Sequence, residues 1–215
     1  MTITREFVHD PSLVLYLPLY KLDGAEFSSQ DAYGHLCTVN GALRTPQGRT
    51  FDGIDDWISL ANFAPSMPST GSILFWVYTP DWADAGDYYL LDIAEGAGLN
   101  QIYIRKLGGG GSVYRLYTAA LQINLVGAIL SAGWHHYALA YTTNDFKAFI
   151  DVAPDGVDTS CDMPSFVSSV GALGATRDGS ANHFKGTMGE CTILSRILTT
   201  LEIQQHYEAT KWRYQ

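Results

Sequence analysis

Charge is scarce in this sequence: only 16% of its 215 residues are Asp, Glu, Lys or Arg. Chains kept unfolded by self-repulsion carry more charge and fewer apolar side chains, whereas here 47% of residues are apolar, the balance of a folded chain. Cations are the scarcer sign, 13 Lys and Arg against 22 Asp and Glu, for a formal net charge of −9 and a pI near 4.9. A surface of that sign repels phosphate backbones, which argues against nucleic acid as a partner. It is compatible with neutral sugars, cations and basic protein patches, and mild acidity also serves solubility alone.

Cysteine is rare too. Cys37, Cys161 and Cys191 are an odd count without CxxC spacing, which offers neither a disulfide framework nor a zinc site. Buried free thiols are the plainer expectation, with a Cys161–Cys191 bridge as the alternative. No apolar run approaches the ~20 residues of a membrane span, so no membrane insertion is expected. The opening MTITREFVHDPS has no basic region ahead of an apolar core, and LVLYLPLY is short and broken by Pro18, so no Sec signal is visible. With Met1 as the natural start, the expectation is a protein made in a cytoplasm and not exported by that route, which weighs against an ordinary secreted lectin.

What the chain has instead is glycine, 21 residues, and tyrosine, 13 residues, a balance that favours strands and tight turns over long solvated helices. Turn signals (DG, NG, PDG) punctuate strand-like runs at the spacing of a sandwich or barrel. The runs are Ser12–Leu19, Leu36–Val39, Arg49–Phe51, Trp57–Ser59, Gly71–Tyr78, Tyr88–Ala94 and Gln101–Lys106. They continue as Val113–Thr118, Ala120–Leu125, Trp134–Thr142, Lys147–Val152, Ser169–Leu173 and Thr187–Ile197. Gly108 to Gly111 lie between two alternating runs and lack the following Lys-Ser or Lys-Thr of a phosphate loop, so they read as a hairpin connection. One segment reads as a helix, about Thr200 to Ala209, opened by the capping box Thr199-Thr200-Leu201-Glu202 and offering Leu201, Ile203 and Tyr207 as a docking stripe. With no linker or low-complexity stretch, residues 1–215 read as one domain with its core between about 12 and 210.

Several of these segments, in order, resemble the laminin-G-like domains of the concanavalin-A-like lectin/glucanase superfamily. LVLYLPL resembles that family's first strand, and FDGIDDWISL (Phe51–Leu60) its Phe-Asp-Gly-x-Asp-Asp-aromatic signature. SILFWVYTP is similar to its Trp-containing strand, GWHHYAL (Gly133–Leu139) to its Trp-His-His strand and KAFID to the strand pairing with it. FKGTMGECTILSRILTTLEI resembles the closing strand and short helix, although Gly189 stands where the family usually has an acidic residue, while Glu190 agrees. The resemblance covers about Leu13 to Ala209 and implies an all-β fold, a two-sheet antiparallel β-sandwich of the jelly-roll type with one short C-terminal helix.

Within FDGIDDW, the carboxylates of Asp52, Asp55 and Asp56 around Gly53 suit a turn closed by backbone N–H groups. Calcium is the alternative, since hard cations gather carboxylate oxygens; no cofactor is otherwise required. Alternation sends Trp57 to one face and Ile58 to the other. His135 and His136 likewise point to opposite faces, one an inner hydrogen-bonded residue and the other on the outer face, and cannot chelate one metal together. Trp76 and Trp134 sit in runs apolar on both faces, the mark of central strands.

Some members of the superfamily hydrolyse glycans with two carboxyl groups across the bond. No Glu-x-Asp-x-x-Glu strand is present, and Glu26, Glu95 and Glu190 are the only glutamates between Phe7 and Leu201. Asp92 with Glu95 has the wrong spacing, and Asp151 with Asp155 falls in turns. No Gly-x-Ser-x-Gly elbow or HExxH helix occurs, so a non-catalytic binding module is expected.

Aromatic rings stack on sugar C–H faces while planar polar groups read hydroxyls. Tyr103 with Arg105, and Arg115 with Tyr117, alternate onto one face of neighbouring strands and are expected to line a partly exposed polar-aromatic surface. Trp82, flanked by Asp81 and Asp84, is expected as an exposed platform, and Asp178 and Asn182 as a rim. Two functions fit: a lectin-like module binding a glycan, or a structural or adhesion component of a larger assembly such as a bacteriophage particle, binding a protein surface and compatible with a homo-oligomer.

Overall fold

This computed structural model describes residues 7–60, 67–95, 100–118, 121–163, 166 and 170–215; the side chains of 117, 118, 121 and 122 lie outside the described set. The first strands are β1 Leu13–Pro18, β2 Glu26–Ser28, β3 Leu36–Asn40, β4 Leu43–Thr45, β5 Gly48–Asp52, β6 Trp57–Ser59, β7 Gly71–Thr79 and β8 Tyr88–Ala94. Then come β9 Asn100–Lys106, β10 Gly111–Thr118, β11 Leu121–Ile129, β12 Gly133–Thr142, β13 Asp145–Ile150, β14 Ala153–Asp158, β15 Val170–Leu173 and β16 Lys185–Leu194. Helix α1, Thr200–Thr210, and a single 3-10 turn, Lys211–Arg213, close the described chain.

These strands form two antiparallel sheets. The first runs β14-β13-β12-β7-β16-β5-β4 with β1 also paired to β16; the second runs β11-β10-β9-β8-β15-β6-β3-β2. The fold is a jelly-roll sandwich. Its main core is built from Leu15, Leu17, Phe75, Val77, Tyr137 and Leu139 of the first sheet and Ile58, Leu91, Ile93, Ile102, Ile104 and Leu116 of the second. Period-2 alternation selects these residues: each is flanked along its strand by side chains of the opposite face.

The central strands β7 and β12 are apolar on both faces because both faces are covered. One packs in the core, and the other carries Leu74 and Ala138 into a second cluster with Tyr16, Leu194, Leu198 and Ile203 of α1. Thr199 caps the helix, its hydroxyl accepting from the Glu202 amide while the Glu202 carboxylate accepts from the Thr199 amide. Leu201 departs from the expected stripe: it is 62% exposed, and the helix docks instead through Ile203, His206 and Thr210, whose hydroxyl accepts from Trp76 Nε1 at 2.9 Å. A leucine two residues into the helix lies on the side opposite residues 203 and 206.

Three strands escaped the sequence reading, β2, β4 and β14. Pro154-Asp155-Gly156 lies inside β14, and the turn falls earlier, where Asp151 and Val152 take positive φ. Asp155 is therefore a strand residue, accepting from Tyr114 OH at 2.6 Å and from the Ala128 amide at 2.7 Å, which joins the two edge strands β14 and β11. The glycine run forms the expected hairpin between β9 and β10, closed by Leu107 N–H to Gly111 O. All three cysteines are free and buried. Among the described residues no helix is long and apolar enough to cross a membrane.

Candidate glycan-binding face

The register of the second sheet sets Ser59, Ala172, Asp92, Tyr103, Arg115 and Asn124 opposite one another, one residue per strand from β6 to β11. Neighbours in such a row share a face, and so do residues two positions away on each strand. Trp57 thus joins from β6, and Gln101 and Arg105 from β9, with Tyr89 of β8 opposite Arg105. This is the face turned away from the core, because Ile58, Ile102 and Ile104 between these residues are buried inside.

Burial falls along the row. Asp92 is fully buried, Tyr103 is 4% exposed, Arg115 is half-buried and Asn124 is exposed. Asp92 survives there because Gln101 Nε2 donates to Oδ1 at 2.7 Å and the Arg177 amide to Oδ2 at 3.0 Å. Burial raises its pKa, and those hydrogen bonds work in the opposite direction. The rings of Tyr89 and Tyr103 lie 5.0 Å apart at 46°. Arg115 donates through Nη1 to Tyr103 OH at 3.0 Å and through Nε to Asn124 Oδ1 at 2.9 Å, which fixes its guanidinium plane.

A loop at residues 176–182 borders the face. Asn182 donates to Asp87 O at 3.1 Å and its carbonyl accepts from the Tyr89 amide at 3.0 Å, while Asp178 is held by Thr176 and Ser180. The half-buried Trp57 closes over this loop: a Cβ at Gly179 would fall 2.1 Å from its ring, and Gly179 takes φ +69°, so the contact requires glycine.

The structure therefore gathers Tyr103, Arg105, Arg115, Asp178 and Asn182 on one side of the second sheet. Two expectations need correction. Tyr103 is buried rather than partly exposed, because Tyr89 and the Arg115 guanidinium, 5.9 Å from its ring centre, cover it. Trp82 is no platform: it is 1% exposed, packed edge-on to His135 at 5.8 Å and against Tyr137 at 6.2 Å. Its loop is drawn inward by Lys106, buried against the Tyr88 ring, whose ammonium donates to the Asp84 carboxylate and to the carbonyls of Asp84 and Gly86. Tyr117 continues the β10 ladder opposite Gln101, but its side chain lies outside the described set.

Trp57, Tyr89, Asp92, Gln101 and Arg177 were missed by the sequence reading. Parity within each strand is legible, but which strands lie side by side comes from the pairing of β6 with β15 and of β15 with β8, both distant in sequence.

In the turn that leads into β6, the ligand atoms of Asp52, Asp55 and Asp56 lie within 4.8 Å of one another. Two of the three carboxylates are committed to the turn: Asp52 Oδ1 accepts from the Ile54 amide at 2.8 Å and the Asp55 amide at 3.4 Å, and Asp56 Oδ2 from the Asp52 amide at 2.9 Å. The Ile54 amide foremost lowers the Asp52 pKa, whereas burial raises that of Asp56.

The fold is shared with solved structures at low identity. A mutant of Trypanosoma rangeli sialidase displaying trans-sialidase activity superposes with a TM-score of 0.73 at 18% identity over 97% of this chain and 34% of that one. The chain thus spans about a third of the sialidase. Domain 4 of AbnA, a GH43 extracellular arabinanase from Geobacillus stearothermophilus solved in complex with arabinotriose, superposes with a TM-score of 0.69 at 16% identity, over 91% of this chain and 98% of that domain. No curated protein matches the sequence. The family model described as the concanavalin A-like lectin/glucanases superfamily matches residues 52–204, and the chain belongs to that family.

Proposed function

We propose that the chain is a non-catalytic carbohydrate-binding module that takes its glycan on the outer face of the second sheet. The observation that carries this reading is the convergence on one face of Trp57 and Tyr89, both half-buried, with the fixed guanidinium of Arg115 and the exposed amides of Asn124 and Asn182. Rings of this kind pack on the C–H face of a sugar, and planar donors and acceptors read its hydroxyls. The likeness to an arabinanase domain solved with arabinotriose supports the same class of ligand.

A binding role without turnover is supported by the state of Asp92. Glycosidases need two carboxyl groups reaching the bond, and this one is fully buried with both oxygens engaged. The reading needs no cofactor, and the Asp52–Asp55–Asp56 turn is assigned to closing its corner. The test is a glycan array followed by calorimetry on the intact protein. Binding that Trp57→Ala weakens at least about tenfold, with no product released, is the expected outcome. Silence on every glycan together with stable multimers would favour an assembly role, and cleavage would make it an enzyme.

A further inference from the structure

Away from the second sheet, two arginines are tightly paired. Arg196 reaches Asp10 at 2.8 Å and Glu202 at 2.9 Å, and Arg213 reaches Glu190 at 2.9 Å, the lengths of charge-assisted hydrogen bonds. On the outer face of the second sheet the geometry is looser. Arg105 stands 3.7 Å from Asp87 and Arg177 stands 4.0 Å from Asp92, too long for hydrogen bonds. Arg105 Nε is buried with no hydrogen-bond partner among the described residues. The carboxylates beside them are instead occupied by neutral donors: Gly108 N–H on Asp87 Oδ1, and Gln101 and the Arg177 amide on Asp92. Arg115 spends Nε and Nη1 on the neutral oxygens of Asn124 and Tyr103. Arg105 and Arg177 therefore hold no short ion pair on this face, and a planar oxyanion meets a guanidinium bidentately.

We infer that the glycan taken by this face carries a carboxylate, received by Arg105 and Arg177 while Trp57 and Tyr89 take the apolar face of the ring. The inference rests on the carbohydrate reading of the same face. The net charge of −9 opposes an anionic ligand only at long range. Exposed charges beyond ~8 Å are screened at physiological salt, which leaves the balance on the face itself to decide, Arg105, Arg115 and Arg177 against Asp87, Asp92 and Asp178.

The experiment is an array holding neutral, hexuronate-containing, sialylated and sulfated glycans, read with the intact protein, Arg105→Gln and Arg177→Gln. Preference for hexuronate or for sialylated glycans is expected, and which of the two identifies the source of the carboxylate. Converting that carboxylate to its methyl ester should weaken binding at least about tenfold, and each variant should lose most of the preference for acid over ester. Should Arg105→Gln fail to fold, the ester comparison on the unaltered protein still decides. Equal affinity for acid and ester, or binding confined to sulfated glycans, overturns the inference. Binding of neutral glycans alone, weakened by Trp57→Ala, overturns it while leaving the carbohydrate reading intact; binding of no glycan removes both.

Discussion

Nε2 of His136 lies 3.2 Å from Nδ1 of His206, a single hydrogen bond joining β12 to the helix that covers it. Nε2 of His206 faces Glu190 Oε1 at 3.3 Å, and the other oxygen of Glu190 accepts from Arg213 at 2.9 Å. The two rings share one hydrogen bond, whichever nitrogen carries the proton, and Nδ1 of His136 is buried with no hydrogen-bond partner among the described residues. The sandwich and its helix are thus connected by a relay that works with a neutral His136.

That arrangement predicts an acid-sensitive helix seam. Burial foremost, and then neighbouring His206, hold the His136 pKa well below its ordinary 6.5. The unfolded chain therefore binds a proton that the folded one refuses as pH falls below about 6.5, and stability drops there by up to about 1.4 kcal/mol per pH unit. Above that pH the residue contributes no slope. His135 acts with the opposite sign: burial works against its charge, but Asp151 and the Ser131 carbonyl overcome this and raise its pKa, so its contribution is present at low pH and lost as pH rises. Urea unfolding of the native protein and His136→Phe between about pH 5 and 8 isolates the first effect. The variant should show the shallower loss on acidification, and parallel curves would refute the relay.

Trp82 supplies a second prediction because its burial leaves Nε1 without a hydrogen-bond partner among the described residues. Trp82→Ala should cost about 3–5 kcal/mol through the cavity beside His135 and Tyr137. Trp82→Phe keeps most of the packing and removes an unsatisfied donor, so it should cost much less. Denaturant midpoints of the two variants make the comparison. Equal, small losses would instead return Trp82 to the surface role that its flanking aspartates suggest.

The helix cap offers a third. Thr199→Ala removes the acceptor of the Glu202 amide and should destabilise the protein by about 1 kcal/mol. Because the capping box is reciprocal, Glu202→Ala in addition should add less than it does alone. Thermal unfolding of the single and double variants reads the coupling, and strict additivity would show that the box is not cooperative.

These cases also show why some features were legible in the sequence and others were not. The capping box, the Gly108–Gly111 hairpin and the opposed faces of Trp57 and Ile58 are set by residues adjacent in the chain, and alternation or turn chemistry specifies them. Central placement of β7 and β12 followed from apolarity on both faces. Exposure did not follow. The surroundings of Trp82 suggest solvent, yet its position is decided by Lys106, distant in sequence, which draws Asp84 and the whole loop inward. The candidate face was half legible for the same reason: Tyr103, Arg105 and Arg115 lie on a hairpin, whereas Trp57 reaches it through β15.

The aspartate corner gives the last prediction, because its three carboxylates divide unequally. Asp52 and Asp56 accept backbone amides, while Asp55 accepts no hydrogen bond from a described residue. Asp56 is also fitted against Gly41, where an added Cβ would fall 1.7 Å from Oδ1. In a turn closed by hydrogen bonds, Asp56→Ala strands the Asp52 amide and should cost about 1–3 kcal/mol. Asp55→Asn should change little, since the asparagine leaves every amide partner in place. A calcium-binding corner would behave otherwise: hard cations draw on all available carboxylate charge, so millimolar calcium would raise the melting temperature and Asp55→Asn would abolish the rise. Melting curves with calcium and with chelator for the native protein and both variants separate the two. We expect no calcium response and a loss confined to Asp56→Ala; a calcium-dependent rise removed by Asp55→Asn would reassign the corner to a cation.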